Sequence, residues 1–153
     1  AIGALVFNDM FNNLNKEVVF DWDKVLNFEG ETGPYVQYTH ARACSILRKA
    51  EYIYKPEDNS TYSYDNEYEY ELFKVLSKLP EVVTSAVEKF EPFFVERYLI
   101  DVAKAFNKFY QNCPINSEND QAIKSGRLIL VHMTTQIIKR ALGLLGIDAP
   151  EKM

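Results

Sequence analysis

The chain has 153 residues, of which 47% are hydrophobic and 25% are charged, and its formal net charge at neutral pH is −5. This length and balance are typical of one globular domain with a sizeable core, and they exclude a disordered, collagen-like or solenoid chain. No apolar run approaches the roughly 18 residues of a membrane-spanning helix, and a net acidic chain argues against a general electrostatic binder of nucleic acid.

The negative charge is concentrated in one segment. Residues 51–73 carry seven acidic side chains against Lys55 alone, a sum of −6, and are called the acidic insert below. The rest of the chain is therefore close to neutral, and two parts of it are locally basic. These are residues 33–50, which contain Arg42, Arg48 and Lys49, and residues 122–153. The sequence predicts two small basic surfaces.

The first long helix is predicted from Pro34 to about Tyr54, after a short helix over 22–27. Proline fits the first turn of a helix, and the run contains no further proline or glycine. Apolar positions recur every three or four residues, which places Arg48 on an accessible face. These positions are Tyr35, Thr39, Ala43, Ile46, Ala50 and Ile53. Residues 55–66, rich in Pro, Asp, Asn, Ser and Tyr, predict an exposed loop.

Two more long helices are predicted towards the end of the chain. One begins at Pro92 and carries an apolar stripe that ends before Pro114. The other opens at Ser117 and Asp120, a pair that resembles a capping box, and carries His132, Thr135 and Lys139 opposite its apolar stripe. Shorter helices are predicted over 68–78 and 80–89. Since no alternating strand pattern competes, the sequence predicts an all-α helical bundle.

The chain lacks the side-chain patterns of common enzymes. His40 and His132 lie 92 positions apart, and Cys44 and Cys113 have no metal-ligand spacing. There is also no glycine-rich phosphate loop, so no metal or ATP site is predicted. Free thiols fit a reducing cytosol, so the predicted compartment is cytoplasmic.

The acidic insert contains six tyrosines, and two interpretations are open. Exposed aromatic rings can stack on unpaired bases of RNA. The charge of −6 would repel phosphates, so a solvated loop whose rings cover neighbouring helices is the preferred interpretation.

Four blocks of sequence are more informative about function than the composition or the predicted helices. Residues 27–48 read NFEGETGPYVQYTHARACSILR, residues 97–110 read RYLIDVAKAFNKFY, residues 127–131 read RLILV, and residues 143–153 read GLLGIDAPEKM. In this order they resemble the carboxyl-terminal anticodon-binding domain, also called the DALR domain, of arginyl-tRNA synthetases, which are class I enzymes. The resemblance spans the whole chain and implies a bundle of the class I anticodon-binding type.

This resemblance implies a tRNA-binding part of a larger enzyme. The bundle would grip the anticodon arm of arginine tRNA, while a separate catalytic domain binds ATP and arginine and performs the chemistry. Residues 1–21 would lead in from that domain. The His-x-Gly-His type of signature for ATP is absent from this chain, which is therefore expected to be inactive alone and to hold no cofactor. Neither DNA nor a membrane is expected as a partner.

The resemblance also implies which residues contact RNA. Four positions match family residues that contact anticodon nucleotides, namely Tyr38, Arg48, Tyr110 and Met153. A loop would press on the anticodon loop by its shape, namely Asn27, Phe28, Glu29, Gly30, Glu31 and Thr32. Aromatic rings can stack on unpaired bases, and a guanidinium can bind a base edge or a phosphate. At the chain end, a methionine carboxylate could accept from the exocyclic amine of a cytosine.

Structural alternatives stay open for each of these side chains. Tyr38 and Tyr110 could be core rings, Arg48 could pair with Glu51, and Met153 could be a frayed end. His40 and Arg42 are assigned structural roles at the helix start. Phosphate contacts from the last helix have no supporting motif, and the candidates are Lys124, Arg127, Lys139 and Arg140. The alternative function is a helical protein-interaction module that no longer binds RNA.

Overall fold

The computed structural model describes residues 2–11, 21–27, 30–56 and 61–153, and these ranges form seven α-helices. In chain order they are α1 (Ile2–Phe11), α2 (Trp22–Val25), α3 (Gly33–Lys49), α4 (Glu67–Leu76), α5 (Leu79–Lys89), α6 (Phe93–Asn112) and α7 (Gln121–Leu144). The described ranges contain no strand, which confirms the predicted all-α class. Among these helices, none combines the length and apolar character needed to cross a membrane.

The three longest helices, α3, α6 and α7, pack against one another around a shared apolar cluster. Helices α4 and α5 lie against α6, and α1 lies against α3 and α6. The large side chains fully removed from solvent include Phe7, Phe106, Phe109, Leu99 and Leu142. Burial of this apolar surface is the main force that holds the helices together.

Two helix ends lie more than two residues from their predicted positions. Helix α3 ends at Lys49 and not near Tyr54, because Glu51 adopts a left-handed conformation with φ 50°, and Ile53 is consequently 76% exposed. At the start of α7, Asp120 itself caps the helix, since its Oδ1 accepts hydrogen bonds from the amides of Ala122 and Ile123. Ser117 lies too far before the first turn to share that role.

Helix α1 occupies residues for which no helix was predicted. Ala4 and Phe7 are buried, and Phe7 joins the central core. The contact requires a glycine at the start of α3, because a Cβ on Gly33 would lie 2.9 Å from Cβ of Phe7. The position of α1 therefore depends on close packing against a distant part of the chain.

One face of α7 was also assigned wrongly. Thr135, expected on the accessible side, is 4% exposed, and its hydroxyl donates to the carbonyl of His132. The reason is that α7 packs against α3, α4 and α6, so most of its circumference is covered.

Candidate nucleic-acid interface

A groove of about 820 Å³ opens between α3, the end of α6 and the last residues of the chain. Its lining includes Arg42, Arg48, Lys49 and Lys152 but only one acidic side chain, Glu151. This is a locally basic surface on an acidic chain. It joins the first predicted basic segment to the end of the second.

The groove brings together the four side chains that the resemblance singles out. Tyr38 and Arg48 line it from α3, Tyr110 from the last turn of α6, and Met153 from the chain end. Tyr38 is 40% exposed and Tyr110 is 43% exposed, so neither ring is a core side chain. Their assignment as RNA contacts stays a prediction, but their common location is a property of the fold.

Arg42 is a groove residue that the sequence did not identify as part of the site. Its guanidinium carbon lies 4.7 Å from the ring centroid of Tyr38 and 5.5 Å from that of Tyr110. Nη1 donates to Asn107 Oδ1 over 2.9 Å, and Asn107 in turn donates to the hydroxyl of Tyr35. A cation above an aromatic face is attracted by the ring, so Arg42 holds both tyrosines in place. Its position four residues after Tyr38 on one helix was the available signal.

The chain end is fastened along α3 by three side chains. Gln37 donates to the carbonyl of Asp148 over 2.7 Å, His40 to that of Pro150 over 2.9 Å, and Arg48 to that of Glu151 over 3.1 Å. Because a carbonyl only accepts, Nδ1 of His40 carries the proton. His40 thus has a structural role, and Arg48 contacts the chain end where a pair with Glu51 was the alternative. Together these bonds carry Met153 to the groove.

The loop before α3 is held apart from the groove. Thr32 caps α3 by accepting from the amide of Tyr35, and its hydroxyl donates to the carbonyl of Asn27. Gly30 has φ 99°, which favours glycine. Glu31 accepts from Lys104 over 2.6 Å, and this bond lowers the pKa of the Glu31 carboxyl. Phe28 and Glu29 lie outside the described residues.

The loop and the groove lie on successive parts of the same α3–α6 face. Glu31 contacts Lys104, Tyr35 contacts Asn107, and Arg42 contacts Tyr110, so the contacts advance along both helices in one direction. Six helical residues separate Lys104 from Tyr110, a rise of roughly 9 Å. The structure therefore places the described loop residues beside the groove but not in its lining.

One candidate phosphate contact on α7 is wrong. Arg127 is 3% exposed, and its guanidinium binds Glu69, Asp65, Glu118 and the carbonyl of Pro114. A buried guanidinium that is already bound to three carboxylates and a carbonyl is not available to a phosphate. Lys139 and Arg140 remain exposed.

Three of the six tyrosines of the acidic insert lie against α7, in line with the preferred interpretation, whereas Tyr70 is 67% exposed. The ring of Tyr54 stacks on His132 at 4.5 Å between centroids, and Tyr52 lies 5.9 Å from the same ring. Tyr64 packs against Gly126, where a Cβ would lie 3.0 Å from the ring. These three rings contact α7, and none of them lines the groove.

The lining of the groove also contains one cysteine thiol. Burial raises the pKa of the Cys113 thiol in its lining to about 11, so this sulfur is protonated at neutral pH. Within the part of the chain that the structure describes, no three His, Cys, Asp or Glu side chains are grouped to hold a metal ion. What the groove presents is aromatic faces, guanidinium groups and ammonium groups.

Solved structures with the same fold define the class of this protein. The arginyl-tRNA synthetase of Thermus thermophilus superimposes with a TM-score of 0.86 at 36% identity, over 99% of this chain and 26% of that one. The arginyl-tRNA synthetase of Plasmodium falciparum gives a TM-score of 0.85 at 29% identity, over 99% and 27%. The chain therefore has the all-α bundle found in class I aminoacyl-tRNA synthetases.

Sequence comparison identifies the family. The pattern of the DALR anticodon binding domain matches residues 36–153, and the chain belongs to that family. It is 49% identical to the arginine–tRNA ligase of Clostridium kluyveri and 47% identical to that of Clostridium perfringens, over 99% of this chain in each case. It spans 27% of the length of each of these relatives.

Proposed function

We propose that this chain is the tRNA-binding part of an arginine–tRNA ligase and that its groove binds the anticodon arm of arginine tRNA. The observation that carries the proposal is the meeting of Tyr38, Tyr110 and Arg48 in one basic groove of a DALR-family bundle. Proteins read RNA loops by stacking splayed bases on aromatic rings and by bonding to base edges. Charging with arginine, at the expense of ATP, is assigned to the remainder of the parent enzyme in the cytoplasm.

Each side chain of the groove has a separate role in RNA binding that follows from its chemistry. Tyr38 and Tyr110 offer the exposed parts of their rings to unpaired bases, while Arg42 lies over both rings and holds them. Arg48 offers a planar fork to a base edge or a phosphate. Met153 is 59% exposed and offers an apolar contact to a ring. The loop around Gly30 lies next along the same face, where it would press on the anticodon loop.

Electrostatics favour this function over the alternative of a protein-interaction module. That alternative draws its support from the acidic insert. In the structure Asp65 and Glu69 of the insert form ion pairs with Arg127, so part of the negative charge of the insert neutralises a buried guanidinium. The groove itself holds four basic side chains and one acidic side chain.

Replacing Tyr110 tests the stacking role. Tyr110→Ala is expected to weaken binding of an arginine anticodon stem–loop by about 1 to 3 kcal/mol, whereas Tyr110→Phe keeps most of the affinity, because a base stacks on the ring. Fluorescence anisotropy measures both. Tyr70→Ala is the matched control, since Tyr70 is 67% exposed on α4 and does not line the groove. Equal affinity of Tyr110→Ala and the parent chain would refute the stacking role.

Replacing Arg48 separates a base contact from a phosphate contact. Arg48→Ala is expected to cost about 1 to 3 kcal/mol on the arginine stem–loop and much less when the central cytosine is changed. A phosphate contact gives the same loss on both RNAs. Gln37→Ala removes another bond to the chain end and leaves the groove cations in place, so it controls for release of that end. Equal loss on both RNAs would assign Arg48 to a phosphate.

A further inference from the structure

We infer that Arg127 is a positioning residue for the RNA-binding groove, and that Glu69 of the acidic insert supplies the buried counter-charge that allows it to act there. The inference rests on the proposed function of the groove. It concerns one side of that groove, residues 114–117, called the groove wall below.

Arg127 reaches the groove wall from behind. Its Nη1 donates to the carbonyl of Pro114 over 2.6 Å and to Oε2 of Glu118, the residue that follows the wall, over 2.6 Å. Pro114, Ile115, Asn116 and Ser117 all line the groove. One guanidinium nitrogen is therefore bound to the first residue of the wall and to the residue that follows its last one.

The other nitrogens of the guanidinium are bound to the acidic insert. Nε donates to Oε1 of Glu69 over 2.6 Å, and Nη2 donates to Oδ1 of Asp65 over 2.8 Å. The Glu69 side chain is wholly buried, and its second oxygen accepts from the amides of Asp65 and Asn66 at the start of α4. A buried guanidinium needs such a counter-charge, because an unpaired charge in the interior is costly. The insert thus links α4 to the groove wall through Arg127.

This geometry requires an arginine. The planar guanidinium donates hydrogen bonds to the insert and to the wall at the same time and in fixed directions, whereas a lysine ammonium is a single point charge. A second α7 side chain, Lys124, donates to the carbonyl of Asn116 over 3.2 Å. The wall is therefore fastened to α7 at two carbonyls. A wall that moves by even about 1 Å would no longer fit the RNA that Tyr110 and Arg48 hold on the other side.

Two matched variants test the inference. Glu118→Ala and Asp65→Ala each remove one carboxylate bound to Arg127, and each changes the net charge of the chain by the same amount. Only Glu118 is attached to the wall. Asp65 is 54% exposed, so water can replace it on the guanidinium. Glu118→Ala is expected to bind the arginine anticodon stem–loop about tenfold more weakly than the parent chain, while Asp65→Ala stays within about twofold.

Hydrogen exchange supplies a measurement that does not depend on RNA. Glu118→Ala and Arg127→Lys are both expected to speed amide exchange in residues 115–118, because the wall opens locally when its tether is lost. Arg127→Lys keeps Glu118, which bonds the amides of Asn119 and Asp120, so a shared effect is due to the wall. If Arg127→Lys does not fold, Glu118→Gln takes its place, because its amide oxygen can still accept from those two amides while its amide nitrogen cannot accept from Arg127.

The outcomes are separable. Equal affinities of Glu118→Ala and Asp65→Ala, with unchanged exchange in residues 115–118, would overturn the positioning role while the parent chain still binds RNA. A parent chain that binds no arginine stem–loop would contradict the proposed function and, with it, the role of the wall. The inference is supported if Glu118→Ala shows weaker binding and faster exchange while Asp65→Ala shows neither.

Discussion

Replacing Arg127 with methionine is expected to lower the free energy of unfolding by about 3 to 5 kcal/mol, because the change leaves the Glu69 carboxylate buried without its cation. Glu69 is 1% exposed and sits at the first turn of α4, where its bonds to two amides also close the capping box. Urea denaturation followed by circular dichroism measures the loss.

The double variant Arg127→Met with Glu69→Gln controls for lost packing. It is expected to recover part of the stability, because the uncompensated charge is gone while the amide oxygen can still accept at the start of α4. A loss below about 1 kcal/mol in the single variant would show that the pair contributes as little as an exposed salt bridge.

Replacing Glu96 with methionine is expected to stabilise the chain by about 3 kcal/mol at pH 7. Glu96 is 0% exposed in the first turn of α6, and neither carboxyl oxygen has a hydrogen-bond partner among the described residues. Burial raises the pKa of this carboxyl from 4.5 to about 8, so in the folded chain it is mostly protonated at neutral pH. Methionine fills a similar volume without a charge.

The sign of the pH dependence follows from the same shift. Between pH 4.5 and about 8 the folded chain holds a proton on Glu96 that the unfolded chain has lost, so the contribution of this group to stability falls as the pH rises. The gain from Glu96→Met should therefore be small near pH 4.5 and largest near pH 8, as measured by urea denaturation at several pH values. A gain that does not grow with pH would contradict the buried, protonated carboxyl.

The long helices were predictable because their signals are local. Proline at the first turn of α3, Pro92 before α6 and Pro114 after it mark ends that neighbouring residues decide. Helix α1 was missed because burial of Phe7 depends on Gly33 and on α6, which are distant in sequence. Periodicity also could not show that Glu51 ends α3 by its left-handed conformation.

The residues of the site also differ in how far the sequence could predict them. Tyr38, Arg48, Tyr110 and Met153 were identified through resemblance to a family, and the fold places all four in one groove. The sequence assigned Arg42 a structural role at the helix start and Arg127 a possible phosphate contact, because the partners Tyr110 and Asn107 of Arg42 and Glu69 of Arg127 lie on other helices. For Arg127 a basic residue on a surface patch and a buried ion network look the same in sequence, and only packing decides between them.

Binding of an anticodon stem–loop is the most direct test of the proposed function, recognition of the arginine anticodon by the groove. Fluorescence anisotropy compares the arginine stem–loop with one that differs only in the central cytosine. The proposed function predicts that the arginine stem–loop binds at least about fivefold more tightly, because a specific base contact contributes about 1 to 3 kcal/mol of discrimination. Equal affinity for the two RNAs, or no binding of either, would contradict it.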